Sequence, residues 1–247
     1  MTSIEILGCR VDAVDREEAV ARIVALANGG HGALVVTMGV EMVMAAQHDA
    51  AFRALINGAA LCVCDTIGLL LASRARGGPL RERVTGVELV EALAQRSARD
   101  GSLRLYLLGG AEGTAAKAGA ALAARFPGAR IAGTRNGYFG DAEGAAIASA
   151  IKASGANLLL AGLGSPKQEK WIAGYAASAG CGAGIGVGGS FDVFAGNVQR
   201  APRAVQRAGL EWAYRLAREP SRWRRQLALP RFAAAATVEF IRSKMGN

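Results

Sequence analysis

The 247-residue sequence contains few of the side chains on which common catalytic sites depend. Its two histidines, His31 and His48, exclude an H-E-x-x-H zinc site and give little basis for a Ser-His-Asp triad. The G-x-S-x-G and G-x-x-x-x-G-K-[ST] motifs are also absent, which disfavours an α/β-hydrolase and a P-loop NTPase. There is no Asp-x-Asp pair to hold a divalent metal against a nucleotide diphosphate. We therefore expect neither a metal site nor a cofactor.

Cysteines and long apolar runs are equally scarce. Two of the four cysteines, Cys62 and Cys64, lie two residues apart in an apolar run, which places both on one face of a strand. Without a second such pair or a nearby histidine, they are expected to be buried small hydrophobes and not zinc ligands. No stretch reaches the roughly 18 apolar residues of a membrane span, and the first residues lack a secretory signal pattern. We therefore expect a cytoplasmic protein that is soluble or peripheral to a membrane.

Acidic residues are rare only near the C-terminus. Residues 1–199 hold 18 Lys and Arg against 17 Asp and Glu, whereas residues 200–247 hold 11 against 3. This shift predicts a nearly neutral domain over 1–199 and a basic appendage of short helices over 200–247. Arg interleaved with Trp and Leu suits a helix on an anionic membrane surface, although an ordinary helix with solvated arginines has the same pattern. A basic tail could also bind nucleic acid.

The body of the chain alternates strand, turn and helix five or six times, and hydrophobic residues make up 51% of the sequence. This alternation predicts an α/β fold: a Rossmann-like, doubly wound, mostly parallel sheet. Polar or glycine-rich turns follow the strands, and the carboxyl ends of parallel strands meet at one edge, where such folds bind ligands. Those turns contain Thr37, Asp65, Gly109-Gly110, 165–168 and 188–192. For Asp65, the competing interpretation is an N-cap of the helix that begins near residue 67.

The turn at Gly109-Gly110 opens a helix, and such turns favour a pyrophosphate. Its spacing is not G-x-G-x-x-G, and the next strand, 131–134, ends without an acid that could hold a ribose. A Rossmann-type NAD-dependent oxidoreductase is thus a disfavoured alternative. A nucleic-acid-binding module that uses the basic tail is the other, although the polar strand ends would have no purpose in it.

Nine ordered sequence blocks lie between residues 36 and 216, inside a similarity that extends over about residues 5–232. They are Val36-Thr37-x-x-x-Glu41-Met42, Arg83-Val-Thr-Gly86, Tyr106-Leu-Leu-Gly-Gly110, Asn136-Gly-Tyr-Phe139, Gly162-Leu-Gly-Ser-Pro-Lys-Gln-Glu169, Gly186-Val-Gly-Gly189, Phe191-Asp192, Arg200-Ala-Pro202 and Gly209-Leu-Glu-Trp-x-Tyr-Arg-Leu216. In these blocks the chain resembles the WecG/TagA/CpsF family of bacterial glycosyltransferases. The resemblance implies an inverting, metal-independent transfer of a sugar from a UDP-sugar to a sugar on a polyprenyl diphosphate. It implies work at the inner face of the cell membrane in cell-surface polysaccharide synthesis, without a nucleic-acid partner; a homo-oligomer stays open.

The resemblance also implies roles for particular residues. Asp65 matches the family's strand-end aspartate and is the candidate general base. Thr37, Arg83 and Gln168 match residues that line the same pocket. The charge on the UDP leaving group would be met by arginine and backbone N–H groups. The further substrate-binding candidates are Gly109, Gly110, Tyr138, Gly188, Gly189 and Asp192, with Arg215, Arg222 and Arg225 from the appendage.

Two positions depart from the family pattern. Gly39 stands where the family usually has Asn, and Thr66 follows Asp65 where the family often has Gly. A donor-site amide is therefore missing. The donor sugar stays open between N-acetylmannosamine, its uronic acid and a plain hexose such as glucose.

Overall fold

The structure is a computed structural model that describes residues 2–220, 223 and 227–245. It consists of an antiparallel hairpin and a six-stranded parallel sheet that carries helices on both faces. The strands are β1 (Ser3–Ile6), β2 (Cys9–Asp12), β3 (Ala33–Met38), β4 (Leu61–Cys64), β5 (Arg104–Gly109), β6 (Arg130–Arg135), β7 (Leu158–Gly162) and β8 (Ala183–Gly186). The helices are α1 (Arg16–Gly29), α2 (Val40–Ala46), α3 (Ala50–Asn57), α4 (Ile67–Ala75), α5 (Gly86–Asp100), α6 (Thr114–Arg125), α7 (Gly144–Ala153), α8 (Lys167–Tyr175), α9 (Ser190–Phe194), α10 (Arg203–Arg207), α11 (Glu211–Arg218) and α12 (Ala228–Met245), with a 3-10 turn at Asp141–Glu143.

The six strands follow the order β4-β3-β8-β7-β5-β6, and every neighbouring pair is parallel. In this sheet, β3 is followed outward by β4 on one side, and β5 is followed outward by β6 on the other. The last two strands along the chain, β7 and β8, lie between β3 and β5. This arrangement confirms the predicted doubly wound α/β fold. It also brings the turns after β3, β4, β7 and β8 to the same edge.

Alternate residues of the strands point into two separate hydrophobic cores. One core lies under the hairpin, α2, α3, α4, α7, α8 and α12, and the other under α1, α5, α6 and α9. Cys62 and Cys64 both belong to the first core, whereas Leu61 and Val63 belong to the second. The prediction that these two cysteines are buried on one face of a strand is confirmed.

Local sequence signals explain where α1 begins and ends. The Asp15 side chain accepts a hydrogen bond from the backbone N–H of Glu18, and the Glu18 side chain accepts one from the backbone N–H of Asp15. Gly30 ends the helix in the left-handed conformation, with φ 75°. In the appendage, the spacing of Leu210, Trp212 and Leu216 predicts one helix over 205–218, and this prediction is wrong. Gly209 adopts φ +72° and divides this stretch into α10 and α11.

The last helix, α12, packs against the body of the protein. Phe232 and Ala236 are buried members of the first core. The Glu239 carboxylate accepts a hydrogen bond of 3.1 Å from the backbone N of Leu7 and pairs with Arg76. No helix in the described ranges is long and apolar enough to cross a membrane. The division of the chain at residue 199 stays a prediction.

Candidate active site

A cavity of about 320 Å³ lies at the carboxyl edge of the sheet, beside the ends of β3, β4 and β8. The turns that follow these strands supply most of its lining, and the first residues of α11 close one side. It is lined by Thr37, Gly39, Val40, Glu41, Met42, Asp65, Thr66, Ile67, Gly68, Arg83, Thr85, Gly86, Val87, Gly164, Ser165, Gln168, Val187, Gly188, Gly189, Ser190, Arg200, Gly209, Glu211, Trp212 and Leu229. The structure therefore gathers Thr37, Asp65, Arg83, Gln168, Gly188 and Gly189 around one space.

Asp65 lies directly after β4, and its backbone N continues the pairing with β3 by donating to Met38 O at 2.9 Å. Its side-chain Oδ1 accepts a hydrogen bond of 3.2 Å from the backbone N of Gly86, the first residue of α5. The N-cap of α4 is Thr66, so the interpretation of Asp65 as the cap of that helix is wrong. The bond from Gly86 fixes the direction of the carboxylate at the cavity wall.

Thr37 and Gln168 both form hydrogen bonds with backbone groups at the end of β8 or in the turn after it. Thr37 Oγ1 donates to Gly186 O at 2.7 Å. Gln168 Nε2 donates to Glu169 Oε1 at 2.7 Å, and Gln168 Oε1 accepts from the backbone N of Gly188 at 3.2 Å. Gln168 is only 3% exposed. Both ends of its amide are thus engaged by protein partners.

Arginines from two parts of the chain meet one carboxylate of α11. Arg83 Nη2 lies 3.6 Å from Glu211 Oε2, and Arg200 Nε lies 3.7 Å from Glu211 Oε1. Arg200 is also anchored on α5, because its Nη2 donates to Glu88 Oε1 at 2.9 Å. Burial tends to raise the pKa of Glu88, but hydrogen bonds from Thr85 and Arg200 outweigh it and hold that pKa below its usual range.

The two glycine turns serve different purposes. Gly109 and Gly110 do not line the cavity; a side chain on Gly109 would collide with the backbone of Gly162, so the glycine lets β5 and β7 end in close contact. Gly188 and Gly189 do line the cavity. The N–H of Gly188 is already bonded to Gln168, which leaves this amide less available to a leaving group than the sequence suggests.

Tyr138 and Asp192 are not brought to the cavity that holds Asp65. Tyr138 is 77% exposed and lines a second recess of about 310 Å³, which also includes Glu112, Gly113, Ala115, Ala116, Thr134, Arg135 and Asn136. Asp192 lies on α9, where its Oδ1 accepts from Asn197 Nδ2 at 3.1 Å. The second recess follows β5 and β6, farther along the same edge of the sheet.

The appendage arginines are described only in part. Arg215 belongs to α11, but its side chain lies outside the described part of the structure, as do Arg222 and Arg225 altogether. Arg200, Glu211 and Trp212 are cavity residues to which the sequence analysis assigned no role. All three residues lie in the sequence blocks 200–202 and 209–216, which resemble the family. The blocks do not indicate that these residues lie beside the cavity.

Clustered metal ligands and reactive thiols are two further kinds of site that the described residues could offer. Within 2–220, 223 and 227–245, no group of three or more His, Cys, Asp and Glu side chains could hold a metal ion. Burial raises the pKa of the Cys62 thiol to about 11 and that of Cys64 to about 12. Both thiols therefore stay protonated at neutral pH. The polar groups that line the cavity are three carboxylates, two guanidinium groups, the Gln168 amide, and hydroxyl and backbone hydrogen-bonding groups.

Comparison with known proteins shows the family to which the chain belongs. The family model described as "Glycosyl transferase WecG/TagA/CpsF family" matches residues 4–246. A curated relative from Bacillus spizizenii is named N-acetylglucosaminyldiphosphoundecaprenol N-acetyl-beta-D-mannosaminyltransferase. It is 36% identical over 204 residues, which cover 83% of this chain and 78% of the relative. The chain belongs to the WecG/TagA/CpsF family of glycosyltransferases.

Proposed function

We propose that this glycosyltransferase moves a sugar, with inversion, from a UDP-sugar to a hydroxyl of a sugar carried on a polyprenyl diphosphate. The name of the Bacillus relative supports the acceptor class, because that protein acts on an N-acetylglucosaminyl diphosphoundecaprenol. Membership in a glycosyltransferase family supports neither an NAD-dependent oxidoreductase nor a nucleic-acid-binding module.

The observation that carries the proposal is the placement of Asp65 and Arg83 on the wall of one cavity. Asp65 is a carboxylate of fixed direction, as a general base requires. In the proposed step, Asp65 takes the proton of the acceptor hydroxyl while that oxygen attacks the anomeric carbon. The bond from this carbon to the diphosphate oxygen breaks, and UDP leaves with the electron pair.

Charge builds up on the diphosphate as that bond breaks. We assign its stabilisation to Arg83, since a guanidinium can donate two parallel hydrogen bonds to phosphate oxygens. The proposed reaction uses no metal ion. Fixed positive groups in a cavity partly shielded from water stabilise such charge without reorganising during the reaction.

The donor sugar is proposed from the two residues that depart from the family pattern. Gly39 and Thr66 both line the cavity, and a Cβ on Gly39 would lie 3.4 Å from Thr66 Cγ2. The two departures therefore concern one small region of the wall. We propose N-acetylmannosamine, its uronic acid or glucose as the transferred sugar; the name of the Bacillus relative supports the first, and the missing amide at position 39 keeps glucose open.

We place the enzyme at the inner face of the cell membrane as a peripheral protein. Large apolar side chains of the C-terminal region are exposed near the cavity or beyond it: Leu210, Trp212, Trp223, Leu227, Val238 and Ile241. Together with eleven basic residues over 200–247, they suit an anionic lipid surface. A lipid-linked acceptor would then reach the cavity without leaving the bilayer.

The direct test offers a panel of UDP-sugars with a short-chain polyprenyl diphosphate sugar and measures released UDP. Release that depends on the acceptor is expected with one or a few donors. Absence of acceptor-dependent release from every UDP-sugar, by protein that is folded by circular dichroism, would overturn the proposal. A donor identified in this way also fixes the sugar that residues 39 and 66 accommodate.

A further inference from the structure

The ion pairs between Arg83, Arg200 and Glu211 have the geometry of a charge contact and not of directed hydrogen bonds. Both nitrogen-to-oxygen distances, 3.6 and 3.7 Å, exceed those of a good N–H···O bond. Arg200 Nε is buried and has no hydrogen-bond partner. A buried donor without a partner is unfavourable. A ligand that brought an oxygen closer would satisfy it.

The position of Arg200 does not depend on Glu211 alone. Arg200 is bonded to Glu88, which in turn is fixed by reciprocal hydrogen bonds with Thr85 at the start of α5. The Arg83 and Arg200 side chains are 17% and 20% exposed, so both are well shielded from water. The Arg200 guanidinium is therefore held at the cavity wall by α5, Arg83 lines the same cavity, and Glu211 reaches both arginines from α11.

We propose that Arg83 and Arg200 form a two-arginine subsite for a diphosphate, and that the Glu211 carboxylate occupies this subsite until the substrate displaces it. Two guanidinium groups that converge on one carboxylate match the demand of an anion with several acceptor oxygens. This inference rests on the proposed function, because it assigns the diphosphate of that reaction to the subsite. Arg200 is thereby a second substrate-binding arginine, and Glu211 is a competitor for it.

Direct binding measurements separate this subsite from glycosyl transfer. Titration calorimetry with inorganic pyrophosphate and with UDP needs neither a donor sugar nor an acceptor. Arg200→Gln should weaken the binding of both about tenfold or more, as expected for a lost charged hydrogen bond. Glu211→Gln should tighten the binding of both by about fivefold or more, which is the lower end of usual couplings between two competing ligands.

Matched controls come from the exposed pair Arg125 and Glu91, which does not line the cavity. Arg125→Gln and Glu91→Gln make the same charge changes and should leave the binding of both anions unaltered. In the Arg200→Gln background, Glu211→Gln should tighten binding less than it does in the wild type, since one of the two contested arginines is gone.

Several results would overturn the inference. If Glu211→Gln weakens pyrophosphate binding or leaves it unchanged, Glu211 is not a competitor. If folded Arg200→Gln binds pyrophosphate and UDP as tightly as the wild type does, Arg200 is not part of the subsite. If Arg200→Gln does not fold, Arg200→Lys replaces it in the test, because lysine keeps the charge but lacks the planar fork of the guanidinium.

A parallel titration with farnesyl diphosphate identifies the source of the diphosphate. If farnesyl diphosphate competes with UDP, and Glu211→Gln tightens the binding of both, the subsite holds the diphosphate of the acceptor as well as that of the donor. If UDP binds and farnesyl diphosphate does not, the subsite belongs to the donor. Acceptor-dependent UDP release is measured separately. The binding assays can therefore confirm the subsite even if the proposed reaction is wrong, and the release assay can confirm the reaction even if the subsite is wrong.

Discussion

Gln168 donates a hydrogen bond of 2.7 Å from its side-chain nitrogen to Oε1 of Glu169, the next residue in the chain. Glu169 is fully buried, and its Oε2 has no hydrogen-bond partner. The pair fits against β8 only because residue 186 is glycine, since a Cβ there would collide with both side chains. Glu169 therefore holds the Gln168 amide, which in turn holds the Gly188 turn at the cavity wall.

The burial of Glu169 makes stability depend on pH. Burial raises the pKa of its carboxyl above the ordinary value, although the hydrogen bond from Gln168 lowers it in part. The folded protein then binds this proton more tightly than the unfolded chain does. The stability that this bound proton contributes is fully present below the unfolded pKa of about 4.5. It is lost as the pH rises through the higher pKa of the folded protein.

Glu169→Gln removes this proton and keeps the shape of the side chain. We expect its free energy of unfolding, relative to the wild type, to increase as the pH is raised above about 4.5, by at most about 1.4 kcal/mol per pH unit. Urea unfolding of both proteins between pH 4.5 and 8 measures this difference. Parallel curves over that range would mean that the Glu169 carboxyl is not protonated in the folded protein.

Asp65→Asn tests the general base. Asparagine keeps the oxygen that accepts from Gly86 but cannot take a proton, so folding should be unchanged and turnover should fall by about 10²- to 10⁴-fold. Thermal unfolding and UDP release in the presence of the acceptor measure the two effects. Asp100→Asn, at the exposed end of α5, is the charge-matched control and should keep its activity. Near-normal turnover by Asp65→Asn would remove this residue from the mechanism.

Sequence patterns were sufficient to predict the sheet and the edge at which the site lies. Strand ends with Thr37 and Asp65 meet wherever parallel strands run side by side, so their proximity follows from the fold alone. The contacts of Arg200 with Glu88 and Glu211 could not be predicted, because they join residues 112 and 11 positions apart through tertiary packing. The resemblance implies a substrate-binding role for Tyr138, but Tyr138 follows β6, and β6 and β4 are the two outer strands of the sheet.

The neighbouring residues Gly39 and Thr66 provide a test of donor choice. Gly39→Asn combined with Thr66→Gly returns an amide to the cavity wall and removes the methyl group that would crowd it. We expect the ratio of kcat/KM for UDP-N-acetylmannosamine over UDP-glucose to rise by about tenfold or more, as one added hydrogen bond in a shielded site allows. The single Thr66→Gly variant, which adds no amide, should change that ratio less. An unchanged ratio in the double variant would exclude these positions as determinants of the donor.

Membrane association is best tested without deleting the C-terminal region. Removal of residues beyond 200 would also remove Phe232 and Ala236 from the first core, so loss of binding could reflect unfolding.

Trp223→Ser with Leu227→Ser changes two exposed side chains and leaves that packing intact. We expect the binding constant of this variant for vesicles that contain phosphatidylglycerol, measured by sedimentation, to fall at least about tenfold, since each side chain contributes on the order of 1–2 kcal/mol when it enters an apolar phase. Leu71→Ser, which alters an exposed leucine outside the basic region, is the matched control and should bind as the wild type does. Equal sedimentation of the wild type with zwitterionic and anionic vesicles would show that the basic residues do not attract the protein to the membrane.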